Sequence, residues 1–125
     1  MAYSESAGWR EVQAQALLRK LLAQTSPYGV VLLDLQGQIT GWSHGASALT
    51  GYLADEVVGN HFALLFTAED TQRHLPEHEM NTARTFGTAE DERWHMRKDG
   101  SRFWASGMTF VLAIDGEPDI CAKVF

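Results

Sequence analysis

The chain has 125 residues, 45% of them hydrophobic, and a formal net charge of −6 at neutral pH. That length makes one domain the default and allows a real apolar core. The acidic balance, with no basic run longer than a pair such as Arg97-Lys98, argues against nucleic-acid binding, and the single cysteine, Cys121, excludes an internal disulfide or a multi-cysteine zinc site.

The longest apolar runs, Phe62 to Phe66 and Phe110 to Ile114, are far too short to span a bilayer. No charged-then-apolar leader opens the chain, so a cytoplasmic location is the expectation, with no membrane partner.

Residues 9 to 24 read as a helix: they are rich in strong helix formers and contain no Gly or Pro. Pro27 ends it by pushing its predecessor out of the α region. At helical spacing Ala14, Leu17, Leu18, Leu21 and Leu22 form one stripe, and Trp9, Val12 and Ala16 lie on roughly the opposite side. Two apolar sides imply two surfaces to cover. The expectation is the protein's own sheet for one and a second copy of the chain for the other; the alternative is a helix that caps the core and leaves Trp9 loosely exposed.

Gly29 to Leu35 predicts a strand, Gln36-Gly37 a turn, and Gln38 to Trp42 a second strand, so the pair makes a hairpin. A short helix fits from Ser43, a good N-cap, to Tyr52, with Gly51 as its stop. Ala54 to Val58 gives another helical turn, and Phe62, Leu64, Leu65 and Phe66 an apolar knot. Thr67 to Asp70 opens an acidic, polar segment. Pro76 suits the first turn of a helix, so the next helix is expected from about Pro76 to Phe86, ended by Gly87.

Glu92 to Phe110 predicts a long hairpin around Asp99-Gly100, with either a two-residue loop or a three-residue loop that puts Gly100 in a bulge. Phe103, Ala105, Gly107 and Thr109 share one face of its second strand, and Arg102, Trp104, Ser106, Met108 and Phe110 the other. On its first strand Trp94 and Met96 point one way, and Arg93, His95 and Arg97 the other. Bulky apolar groups thus occur on both faces, which calls for a cover on each. A last strand, Asp119 to Phe125, follows the turn Asp115 to Pro118. Helix, two strands, several short helices and three strands make an α+β domain with an antiparallel sheet of about five strands.

From about Leu22 to Phe125 the chain resembles a PAS sensor domain. The resemblance rests on Gly29-Val-Val-Leu-Leu-Asp, Gln36-Gly37 and Ile39-Thr-Gly-Trp42. It continues through Gly45-Ala46, Leu49 to Tyr52, Asp55 to Gly59, Leu65-Phe66, Glu69-Asp70 and Arg97 to Trp104. Ser43 stands where the family often carries Asn. The resemblance implies a five-stranded antiparallel sheet with short helices on one face. It also implies an N-terminal amphipathic helix, here residues 1–24 as a cap on the 25–125 core, packing on or near the other. It further implies a sensor module of a larger signal-transduction protein, such as a histidine kinase. Such modules take a small-molecule ligand or a partner, commonly form homodimers, and pass packing changes to a covalently linked effector domain.

The candidate ligand-facing residues are His95, Phe103, Ala105 and Gly107, with Ser47 of the short helix. In the three-residue-loop register His95 faces the same side as Ala105 and Gly107, whose small side chains leave room beside them. Trp9, Val12, Leu17 and Leu21 of the leading helix, with Trp94, Met96 and Trp104 of the hairpin, are the candidate dimer contacts; Trp and Met are favoured at such surfaces.

No cofactor is expected. The flavin-binding, light-sensing branch of the family is similar around Gly59 to Phe62 but needs a reactive cysteine near His61 or Phe62; Cys121 lies in the last strand and reads as a small buried hydrophobe, so photoadduct chemistry is not expected, while non-covalent flavin binding stays open. The haem-binding branch places a ligand histidine where His74 stands, so a haem gas sensor is the alternative. Pro76 and the polar neighbours Glu77, His78 and Glu79 speak for a solvent-facing His74 instead. A ligand-free dimerisation and relay module is the other alternative.

His74 and His78 have a metal-binding spacing but lack a third ligand, and Thr82 stands where a zinc-protease pattern would need its second histidine. Strand alternation puts Asp91 on the opposite side from Glu90 and Glu92, so these carboxylates do not converge as an acid/base pair. No catalytic residue is expected.

Overall fold

Valine and leucine runs form the first strands. In the computed structural model, which describes residues 28–113, 115–116 and 119–125, β1 (Val30–Leu33) pairs antiparallel with β2 (Ile39–Trp42). The helix expected over residues 9–24, and with it the division between 1–24 and 25–125, lies outside the described residues. Both strands are shorter than their apolar runs predict. Asp34 Oδ1 accepts from the backbone N–H groups of Gln36 and Gln38, each at 2.9 Å, and so pulls the chain into a turn before Leu35 can extend β1.

Ser43 starts α1 (His44–Thr50) as expected: its Oγ accepts from Ala46 N–H at 3.1 Å, and Gly51 at φ 80° closes the helix. Then come α2 (Ala54–Val57) and a 3₁₀ turn over Phe62–Leu65. Thr67 to Asp70 is not merely a polar connection. Thr67 Oγ1 accepts from Asp70 N–H at 3.1 Å and caps a short helix, α3 (Ala68–Gln72). The longest described helix, α4 (Leu75–Phe86), carries Pro76 in its first turn, where no hydrogen bond is lost, and ends at Gly87.

β3 (Thr88–Met96) and β4 (Arg102–Leu112) form the long hairpin, with Arg93 opposite Ala105, Trp94 opposite Trp104 and His95 opposite Phe103. The three-residue loop is the one formed: Arg97 N–H donates to Ser101 O at 2.8 Å, and Gly100 takes φ 87°. β5 (Ile120–Val124) runs between β1 and β4, giving the order β2-β1-β5-β4-β3 in a five-stranded antiparallel sheet.

The short helices lie on one side of this sheet. Val31, Leu33, Ile39, Phe62, Leu65, Phe66, Met80, Ala105, Cys121 and Phe125 form the core there. Burying each large member contributes roughly 1.5–3 kcal/mol. On the other side Trp94, Trp104 and Met108 are exposed among the described residues. No described helix is long and apolar enough to cross a membrane.

Candidate functional site

Strand alternation and the hairpin register carry His95 to the inner face, where it is completely buried. Three rings surround the imidazole: Phe66 at 5.1 Å between centroids, Phe125 at 5.7 Å and Phe103 at 5.9 Å. Among the described residues neither ring nitrogen has a hydrogen-bond partner. Burial, and then the positive charge of Lys123, push its pKa down to about 3, so the ring is neutral at physiological pH. A neutral imidazole has one N–H to give and one lone pair to accept with. His95 therefore offers both functions inside an aromatic enclosure.

The other ligand candidates separate. Phe103 faces His95 directly, with the Arg97 guanidinium 4.9 Å above its ring. Ala105 is buried in the same core. Gly107 is on the same face but serves close strand approach: a Cβ there would lie 2.5 Å from the Val124 carbonyl oxygen. Ser47 is half-buried on α1.

On the opposite face Trp94 and Trp104 pack edge to face at 5.3 Å, 46% and 54% exposed, with Met96 half-buried beside them. An open groove of about 710 Å³ lies along the sheet, lined by Tyr28, Glu90, Glu92, Ser106 and Met108 among others. The remaining dimer candidates, Trp9, Val12, Leu17 and Leu21, lie outside the described residues.

His74 is exposed and starts α4 in the left-handed region at φ 59°, and His78 is exposed as well. Among the described residues no group of three His, Cys, Asp or Glu side chains is placed to hold a metal. Cys121 is buried, and burial pushes its thiol pKa up, away from thiolate chemistry.

A buried charge cluster under α4 escapes the sequence reading. Glu79 of α4 and Lys123 of β5 are 3% and 0% exposed, with Lys123 Nζ donating to Glu79 Oε2 at 2.7 Å. Thr109 of β4 donates to the same oxygen at 2.8 Å. Asp91 of β3 lies 3.7 Å from Lys123 Nζ and bonds Arg93, which reaches Asp70 of α3 at 3.5 Å. The Phe62 and Phe66 rings lie within 5.8 Å of the ammonium. One signal was available: Lys123 is the single cation in the apolar run Ile-Cys-Ala-Lys-Val-Phe, where alternation with Cys121 and Phe125 turns it inward.

Residues 27–124 match a family profile described as PAS domain. Two-component system protein A of Emericella nidulans is 40% identical over 88 residues, spanning 70% of this chain and 13% of that protein. The cell-division control histidine kinase PdhS of Brucella ovis is 46% identical over 50 residues, spanning 40% of this chain and 5% of that protein. The chain therefore spans only a small part of these relatives. A PAS domain from Colwellia psychrerythraea superposes with a TM-score of 0.76 at 21% identity, covering 90% of this chain and 95% of that one. A domain of a sensory box histidine kinase/response regulator from Geobacter sulfurreducens gives 0.78 at 13% identity, covering 92% and 96%.

Proposed function

The chain belongs to the PAS domain family, and on that premise we propose that it is the cytoplasmic sensor and dimerisation module of a larger signalling protein, with His95 at its sensing position. It senses rather than catalyses: a small polar molecule enters the inner face, engages His95, and changes how the short helices pack on the sheet. A linked effector domain, of the histidine-kinase kind named for the Brucella relative, reads that change.

The observation that carries this reading is a fully buried imidazole with neither nitrogen hydrogen-bonded among the described residues. Leaving a buried polar group unpaired costs about 1–3 kcal/mol, and a ligand with a donor or an acceptor returns that cost as affinity. A second reading is a ligand-free relay module. It is favoured by the three rings packed within 5.9 Å of His95, which already occupy much of the space a ligand would need.

Native mass spectrometry of the purified chain distinguishes the two. The sensing reading expects a bound small-molecule mass on the wild type that is lost in His95→Leu while the circular dichroism spectrum is retained. A wild-type spectrum with no added mass, joined by no thermal shift across a panel of small polar metabolites, leaves the filled-core relay as the function.

A further inference from the structure

Four elements converge on Glu79, and sensing at His95 uses none of their contacts. Glu79 Oε2 is saturated by Thr109 Oγ1 at 2.8 Å and Lys123 Nζ at 2.7 Å. Oε1 is buried with no hydrogen-bond partner among the described residues. Charged and titratable groups reach toward it from the surrounding elements. β3 presents Asp91, Arg93 and His95, β5 presents Lys123, and α3 presents Asp70. From β4 comes only the neutral Thr109. On α4 itself the neighbouring Glu77 and His78 are exposed.

At the buried centre two carboxylates, Glu79 and Asp91, 3% and 7% exposed, face one fully buried cation, Lys123, while Arg93, which also bonds Asp91, pairs with Asp70 at the partly exposed rim. His95 is neutral, so it adds no charge. With every acid ionised one negative charge is left over, and an uncompensated charge away from water is costly. A single proton balances the cluster. The oxygen that no donor among the described residues occupies is Glu79 Oε1.

We propose that Glu79 is a proton-binding site that couples the docking of α4 to pH. With the proton on Oε1, shared toward Asp91, the cluster is neutral and α4 sits tightly on the sheet. Without it, a surplus negative charge lies beneath α4 and weakens its hold. The titration energetics agree with this placement. Burial, opposed by Lys123 and reinforced by Asp91, pushes Glu79 up to about 7. Burial also acts upward on Asp91, but Glu79, Lys123 and Arg93 outweigh it and hold Asp91 below the ordinary aspartate range. The two carboxyls are thus driven apart, one toward neutrality and one toward ionisation.

Freed into water, Glu79 returns to its ordinary value of 4.5, so the docked state binds more protons between 4.5 and about 7. The contribution of Glu79 to docking is therefore largest below 4.5, weakens as pH rises through that window, and levels off above about 7.

The test is a pH series on the 125-residue chain carrying ¹³C-carboxyl glutamate, read by NMR, with urea denaturation at each pH. The proposal expects one glutamate carboxyl to titrate near neutrality in the wild type and to be missing in Glu79→Gln. It expects the wild-type folding constant, relative to Glu79→Gln, to fall by more than about tenfold between pH 4.5 and 7. Asp91→Asn removes the surplus charge, so it should move the glutamate midpoint down toward the ordinary range. The wild-type carboxyl titration needs no variant, so it decides the matter even if Glu79→Gln fails to fold. A wild type in which no glutamate titrates near 7, or parallel pH slopes for wild type and Glu79→Gln, overturns the proposal.

Discussion

Lys123 is a charged side chain with no exposed surface, at an inward position of the central strand. Its ammonium is shared between Glu79 and Asp91 and lies against the Phe62 and Phe66 rings. Replacing it with methionine keeps the length and the apolar stem but removes the one cation among the described residues that touches Glu79. Breaking a buried pair from one side typically costs about 3–5 kcal/mol, because the remaining charge stays buried without compensation. Lys123→Met should therefore lose about that much stability at pH 8, where Glu79 is ionised. It should lose distinctly less at pH 5, where Glu79 can take a proton instead. Urea unfolding at the two pH values measures the difference, and equal losses at both would mean the cluster does not exchange a proton. The double variant Lys123→Met with Glu79→Leu should recover part of the loss at both pH values, since each charged partner then has an apolar substitute.

The hairpin that carries the site was legible because its signals are local. Asp99-Gly100 requires a tight turn with positive φ, and the alternation of Trp94 and Trp104 against His95 and Phe103 assigns the faces once the loop length is known. The helix caps at Ser43 and Gly51 were legible for the same reason. What depends on distant partners was not. Glu79 lies 44 positions from Lys123 and 30 from Thr109, so their pairing exists only after α4 folds onto the sheet. Helix α3 was hidden differently, because Thr67 followed by acidic residues reads equally as a cap or as a solvated turn.

The cap at Ser43 also joins two elements. Its Oγ accepts from Ala46 N–H at the start of α1 and from Val30 N–H of β1 at 2.9 Å. Ser43→Ala leaves two backbone donors without that acceptor, so it should cost about 2 kcal/mol, at the upper end for a helix cap. Ser43→Asn should retain most of the stability, because its side-chain oxygen can serve the same donors. Thermal unfolding of the three proteins orders them, and an Asn variant as unstable as the Ala variant would show that the hydroxyl geometry is specific.

At the scale of the whole molecule the two sides of the sheet differ in kind. The inner side is closed by helices and aromatic rings. The outer side presents Trp94, Trp104 and Met108 to solvent among the described residues, beside a groove that begins at Tyr28, where the leading segment joins the core. Large exposed aromatic groups that already stack on one another are poor candidates for a surface left in water, because covering both adds apolar burial with little further ordering. If this face joins two copies, introducing charge there should separate them. Trp94→Glu with Trp104→Glu puts two carboxylates opposite one another on a surface that already carries Glu90 and Glu92. Within each protomer both side chains point away from the core, so the fold should survive with only a small loss of stability. Light scattering coupled to size exclusion should then report a dimer for the wild type and a monomer for the double variant, with unchanged circular dichroism. A double variant that keeps the wild-type mass would place the contact elsewhere, with Leu17 and Leu21, which lie outside the described residues, the next positions to alter.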